Sequence, residues 1–358
     1  MLFRSMPTLF SQMGMKVSAF DVPYPGNYTE VGDYSLFDSL PNTNARILHG
    51  LLDSHGMGET EENIRLRDFF CYSISMVVPS VLYGTVYSMG SYNRISEAEP
   101  LFYVQKTIQE TEASATELEF ELHAEVLKRL PEMTSIQEEG DTFLMMVNYT
   151  AHSPTLLKEP EYVVGDLSGN AAYDAAHTDR FLAGPYKVYT NNDFQMMHYH
   201  ANMASLLLLG DWLEYLKAEG LYNNARIIIV SDHGGLGLYQ IAEAYLPEYG
   251  EDLAGCNPLL MVKDFDASGE IRTDSSFMTN ADVPALAMEG IIQDPVNPFT
   301  GNHIMQGQEK HQQQVVYLSH SNDISKNRGT TYTPGNKMEF TPGNKTIFDL
   351  SLWHRMEE

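Results

Sequence analysis

Three short stretches of the sequence hold the side chains best suited to chemistry. Ser231-Asp232-His233-Gly234-Gly235 closes the apolar run Arg226-Ile-Ile-Ile-Val230. An adjacent carboxylate and imidazole can ligate one cation of the zinc or manganese kind. The two glycines let backbone approach a ligand closely. The plain alternative is that Asp232 caps a following helix and His233 stands in solvent. The second stretch is Asn148-Tyr-Thr-Ala-His152-Ser-Pro154, a loop histidine directly after another apolar run. The third is Met197-His198-Tyr199-His200-Ala201-Asn202, at the start of a long helical pattern. There His198, His200 and Asn202 could line a pocket, although residues two apart do not share a helical face. The competing reading is one buried and one solvated histidine.

The elements that must position these residues alternate between strand and helix. Lys16–Phe20 reads as a short strand breaking into the Asp21–Gly26 loop. Leu118, Leu122, Val126 and Leu130 recur at four-residue spacing, the mark of an amphipathic helix stopped by Pro131. Thr142–Val147 is a continuous apolar run of strand length, as in a parallel sheet buried on both faces. Residues 193–220 form a long helix with Tyr199, Met203, Leu206, Leu207, Gly210, Leu213 and Leu216 on one face. Strands follow at Arg226–Val230 and Pro258–Val262, then a helix over 282–288 with Pro284 in its first turn. This alternation predicts a three-layer α/β domain with a mostly parallel central sheet. In such a sheet ligands bind beyond the carboxyl ends of the strands, so all three stretches would converge on one edge. Composition shifts near Asn297–Gly301, which predicts a catalytic-type domain over 1–301 and a small polar β-rich extension over 302–358. That extension carries Thr-Pro-Gly-Asn-Lys twice, at 333–337 and 341–345, as a pair of turn signals.

Composition narrows the partners. With 358 residues, 43% of them hydrophobic, the chain has the material for a full core, which excludes disorder for its body. Its 22 Lys plus Arg against 48 Asp plus Glu give a formal charge of −26. That balance disfavours nucleic acid and anionic headgroups, yet a bound cation can invert the sign locally for a small ester. Two cysteines, Cys71 and Cys256, make neither a disulfide scaffold nor a cysteine zinc site. No export signal opens the chain. Phe69–Gly90 contains no charged residue but is interrupted by serines, glycine and Pro79, which reads as a buried or interface-lying segment rather than a spanning helix.

Taken together, residues 143–301 resemble the sulfatase/alkaline phosphatase superfamily. The resemblance is strongest to the membrane-anchored branch of lipoteichoic acid synthases and phosphoethanolamine transferases. The residues that carry it are Asn148–Pro154, His198–Met203, Gly210–Lys217, the continuous stretch Gly220–Gly234, Asn257–Asp264 and Phe277–Pro284. Met6–Gly14 is similar to the helix-then-strand passage that follows the family's nucleophile. The resemblance implies an alkaline-phosphatase-like fold and one divalent metal ion (manganese, zinc, magnesium or calcium) held by Asp232 and His233. It also implies that His152 contacts the phosphoryl or sulfuryl group or a second metal. The implied reaction is in-line attack by a Thr, Ser or formylglycine hydroxyl on a phosphate or sulfate ester, with a covalent intermediate passing to water or an acceptor. The full-length family member acts on cell-envelope glycans or lipid headgroups at the outer face of the cytoplasmic membrane.

One departure matters. The family's first acidic ligand and its nucleophile have no match here, since neither Thr8 nor Thr43 has the right context. The expectation is therefore a C-terminal portion whose membrane helices and nucleophile would lie upstream of Met1. Two alternatives stay open. One is a non-catalytic member that binds a glycan or lipid headgroup. The other is a cofactor-independent phosphomutase or nucleotide pyrophosphatase of the same superfamily, which shares the fold; the phosphomutase needs more metal ligands than the sequence offers.

Overall fold

The computed structural model describes residues 2–20, 115–136, 139–152, 154–235, 237–274, 276–304, 313–318, 336–341 and 347–356, with scattered positions between 47 and 83. Thr43, Cys71 and most of the two Thr-Pro-Gly-Asn-Lys copies lie outside the described residues. In chain order the principal elements are α1 (Leu2–Gln12), β1 (Lys16–Phe20), α2 (Ala115–Lys128), α3 (Leu130–Met133), β2 (Thr142–Met146), α4 (Asn170–Ala176), β3 (Leu182–Ala183), β4 (Tyr186–Lys187) and α5 (Asp193–Ala218). They continue with β5 (Ile227–Val230), β6 (Tyr245–Leu246), β7 (Glu251–Asp252), β8 (Leu260–Lys263), α6 (Val283–Met288), β9 (Gln314–Leu318), β10 (Asn336–Phe340) and β11 (Trp353–Arg355). The fold is mixed α/β, built of small sheets and helices. Two compact units interleave along the chain: Met1–Met13, Thr178–Thr190 and Gly220–Glu358 form one, and Gly14–His177 with Asn191–Glu219 the other.

In the second of these units, β1 and β2 pair in parallel from Lys16↔Thr142 to Phe20↔Met146. Val17 and Ala19 are buried, but β2 is only half-buried, with Leu144 56% exposed. A continuous apolar run therefore does not mean burial on both faces here. The helix α2 places Leu118, Phe120, Leu122 and Val126 inside. It stops at Arg129, and Pro131 then sits in the first turn of α3, where a missing N–H costs nothing.

The 26-residue α5 begins where Asn192 accepts a hydrogen bond from the Gln195 N–H at 2.9 Å. Gln195 in return accepts from the Asn191 N–H, also at 2.9 Å, so two otherwise orphan donors are satisfied reciprocally. The buried stripe of α5 runs through His200, Ala201 and Ala204, whereas Leu206 and Leu207 are 43% and 45% exposed. Small residues on that stripe let α5 pack closely against α2, with Phe120, Leu157 and Tyr162 completing the cluster.

In the other unit, β5 pairs with β8 antiparallel, from Ile227↔Lys263 to Val230↔Leu260, and its residues are half-buried. The alternation of strand and helix predicts parallel neighbours, and this pair departs from it for a physical reason. A parallel return needs a crossover element such as a helix. Residues 231–259 supply only 3₁₀ turns and the β6–β7 hairpin among the described residues.

Arg226 ties this pair to α6. Its guanidinium bonds Asp264 at 2.9 and 2.8 Å, and it also donates to the carbonyls of Leu286, Ala287 and Glu289 at 3.1, 3.2 and 2.6 Å. A cation on the last carbonyls of a helix offsets their unsatisfied partial charge. The hydrogen bond from Arg226 is also the main reason the Asp264 carboxyl is held below its ordinary range.

The strands β9, β10 and β11 form a three-stranded antiparallel sheet. Met338, Phe340 and Trp353 from it share one core with Ala244, Leu246 and Leu253. Phe340 stacks on Trp353 with centroids 4.5 Å apart, and the indole N–H donates to the Ile347 carbonyl.

Replacing Arg226 by Ala leaves three helix-end carbonyls and Asp264 without their charged partner. The expected loss is about 2–3 kcal/mol of stability, read from urea denaturation; a loss within about 0.5 kcal/mol would show the clamp to be incidental.

Candidate functional site

Asp232 and His233 lie on the turn that leaves β5, and the turn is held from three directions. The Ser231 hydroxyl accepts from the Leu259 N–H at 2.8 Å, while the Ser231 N–H donates to the Leu259 carbonyl at 3.0 Å. The Asn280 amide donates to the carbonyls of both Ser231 and Asp232 at 3.0 Å. Asn280 is itself fixed by the turn into α6, where Asp282 accepts from the N–H and hydroxyl of Thr279. Lastly, the Gly234 N–H donates to the Gly255 carbonyl at 3.0 Å. A Cβ at 234 would stand 2.0 Å from the Ala254 oxygen and 2.8 Å from that of Asn257, so only glycine fits.

On this base the two side chains are well disposed for a cation. His233 Nδ1 lies 2.7 Å from the Gly234 carbonyl, which can only accept, so Nδ1 carries the proton and Nε2 presents its lone pair. Nε2 lies 3.7 Å from Asp232 Oδ2. Two ligands about 2.0 Å from one zinc ion at the tetrahedral angle sit about 3.3 Å apart, so a small rotation closes the gap. The other carboxylate oxygen accepts from the His233 N–H at 2.9 Å. With side chains 88% and 51% exposed, both are reachable from solvent. Among the described residues no group of three or more His, Cys, Asp and Glu could hold a metal ion.

Cys256 lies in the loop that Gly234 rests on. It is a free thiol, and burial, with Glu251 and Asp252 nearby, pushes it up to about 11, which makes it unreactive at neutral pH.

The other unit holds His152, His198 and His200. His152 closes the 3₁₀ turn Thr150–His152 with its ring exposed. Asn148 anchors that turn: its amide donates to the His123 carbonyl at 2.9 Å, and its oxygen accepts from the N–H and hydroxyl of Thr150 at 3.0 and 2.6 Å. Around His152 the structure gathers two more imidazoles. The turn packs on both α2 and α5, which bring His123 and His198 respectively. The Tyr149 ring stands 5.5 Å from His123 and 6.0 Å from His152. His198 is half-buried with Phe194 edge-on at 4.8 Å. Its protonation is made harder first by burial and then by the charge of His152.

His200 points elsewhere. It is 1% exposed, its Nδ1 accepts from the Leu157 N–H at 2.9 Å, and its Nε2 lies 3.3 Å from the buried Glu159 carboxylate. That fixes the proton on Nε2 and commits the ring to the interior. Asn202 donates to the His198 carbonyl at 2.8 Å, a bond within its own helix. Of the three residues at the start of α5, only His198 therefore comes near His152.

His123 was missed by motif reading. It is 1% exposed and neither ring nitrogen has a hydrogen-bond partner. Burial, followed by the charge of His152, lowers it from 6.5 to about 4. The one signal in the sequence is a polar ring among Phe120, Leu122 and Val126 on an otherwise apolar helix face.

Comparison of the chain with family models, with curated proteins and with solved structures gives no match in any of the three.

Two expectations follow. Gly234→Ala should cost about 3 kcal/mol or more, because the clash is with backbone oxygens, whereas Gly235→Ala meets only the movable end of Leu238 and should cost less. Equal urea midpoints for the two variants would refute the close approach. His123 is neutral when folded, while the unfolded chain takes up a proton below about 6.5. Stability from this residue is therefore full at neutral pH and falls by about 3 kcal/mol as pH drops from about 6.5 to about 4. His123→Leu should flatten that part of the pH profile relative to the parent; parallel profiles would overturn the assignment.

Proposed function

We propose that the chain is part of a metal-dependent phosphoryl- or sulfuryl-ester transferase or hydrolase of the sulfatase/alkaline phosphatase type, acting on cell-envelope glycan or lipid headgroups. The observation that carries this reading is the Ser231–Gly234 turn. There an exposed carboxylate and an imidazole with a free Nε2 stand side by side on a rigid backbone. A divalent cation held there would polarise an ester oxygen and activate a hydroxyl nucleophile. The chain's own part is to hold Asp232 through Asn280 and to keep the proton of His233 on Nδ1. The parallel β1–β2 pair supports an alkaline-phosphatase-like three-layer arrangement, while the antiparallel β5–β8 pair is a departure from it. Action at the outer face of a membrane belongs to the same reading. Among the described residues no helix is long and apolar enough to cross a bilayer.

A second reading is a non-catalytic member that binds such a headgroup without turning it over. One feature favours it: among the described residues the donor pair stops at two.

Titration calorimetry with manganese or zinc chloride tests the first step of both. One ion should bind the intact chain, and Asp232→Ala or His233→Ala should weaken it by about tenfold or more. Unchanged affinity in either variant would remove the metal assignment. Hydrolysis of a nitrophenyl phosphate or sulfate by the metal-loaded chain, set against none, then separates the enzyme from the binding module.

A further inference from the structure

Downstream of the donor pair stand two tyrosines that the reading above leaves unused. Tyr239 and Tyr245 are 49% and 37% exposed, and their rings meet at 83° with centroids 5.4 Å apart. That is the edge-to-face arrangement aromatic pairs favour, and two planes at such an angle form a corner. Tyr239 is held there at a backbone cost. Its φ is +50°, a conformation uncommon for a residue with a Cβ. Asp252 fixes it, accepting from the Tyr239 N–H at 2.8 Å through Oδ2. Asp252 also faces Tyr245 across the β6–β7 pair, and its other oxygen accepts from the Ala254 N–H at 3.1 Å. One acidic residue is therefore next to both tyrosines and anchors one of them.

Charge and hydrogen-bonding capacity select what fits this corner. From Ile227 to Val262 the chain carries Asp232, Glu243, Glu248, Glu251 and Asp252, and no Lys or Arg. Glu243 and Glu248 are exposed. A segment of one sign gathers cations and repels anions, and the negative faces of aromatic rings attract cations as well. A calcium or magnesium ion needs several oxygen ligands, whereas both Asp252 oxygens already receive backbone N–H groups. A cation that carries N–H groups asks for acceptors that ring faces supply poorly. A fully methylated ammonium asks for none, and its methyl groups pack on the rings. We propose that the Tyr239–Tyr245 corner binds a small quaternary ammonium cation of the choline class, with the acidic 243–252 segment supplying the long-range attraction.

The inference makes no use of the Asp232–His233 donor pair and can fail or hold without the ester-transfer reading. Calorimetric titration of the intact, metal-free chain with choline chloride should give a saturable isotherm that weakens as sodium chloride is raised. The uncharged isostere 3,3-dimethyl-1-butanol should bind at least about threefold more weakly. Tyr239→Leu and Tyr245→Leu, which remove the ring faces, should each weaken choline binding by about threefold or more. Tyr239→Phe and Tyr245→Phe keep those faces and should stay within about twofold of the parent. They keep the test decisive should a Leu variant fold poorly. Four outcomes would overturn the proposal: no isotherm with the parent chain, equal affinity for the uncharged isostere, equal affinity in Leu variants that retain the parent's circular dichroism, or binding to phosphocholine micelles without binding to free choline.

Discussion

The oxygen of Ala254 lies where a side chain at position 234 would begin, and much of the donor pair's geometry depends on that approach. With glycine there, the 254–257 loop closes onto the turn after β5, and the Gly234 N–H reaches Gly255. Within the turn itself the Gly234 carbonyl lies 2.7 Å from Nδ1 of His233, which selects the tautomer with its lone pair on Nε2. Asn280 then holds the two carbonyls on the other side of the turn. Neither Asp232 nor His233 is buried, so their positions are set through backbone rather than through packing of their own side chains. The backbone of the turn is held by hydrogen bonds while the Asp232 carboxylate and the His233 ring stay open to solvent.

In the other unit the constraint is reversed, because polar groups are placed where they cost stability. His123 is buried with two unpaired nitrogens, and burial strongly favours its neutral ring. The Glu159–His200 pair is buried as well, but there the Leu157 N–H donates to Nδ1 and the carboxylate lies 3.3 Å from Nε2. Two histidines of similar burial thus differ in what surrounds them. His200 joins α5 to the 157–162 segment through the bond from the Leu157 N–H. His123 contributes packing volume and, through its carbonyl, a seat for Asn148.

Local order was largely legible in the amino-acid sequence. The Lys16–Phe20 strand, the Thr142 strand start and the helix beginning at Asp193 all follow from apolar period and cap residues, because those signals act over a few neighbours. What escaped was non-local. The direction of β5 against β8 depends on the course of residues 231–259, where no periodic signal exists. The buried face of α5 could not be told from Leu206 and Leu207, since the packing partner selects Ala201 and Ala204 by their small size. For the site, adjacency made Asp232 and His233 readable as a pair. His123 was invisible because its nearness to His152 arises from α2 and the Thr150–His152 turn packing together. His198 and His200 were correctly separable by helical phase, but not assignable to inside and outside.

The chain's charge links the two halves of the proposed chemistry. At −26 the surface repels a phosphate or sulfate ester, so an ester has little affinity for the chain by itself. The same charge draws divalent cations toward the surface. A cation between Asp232 and His233 reverses the local sign and turns an unfavourable anion approach into a favourable one. Cation and ester then each raise the affinity of the other by the same factor, as linkage requires. A two-donor pair fits that scheme in a specific way. If the two donors seen among the described residues were the protein's whole share, the remaining coordination positions would be open, and an ester oxygen could fill one of them. The weakness of an incomplete donor set in holding metal alone is therefore also what leaves room for the substrate to complete it.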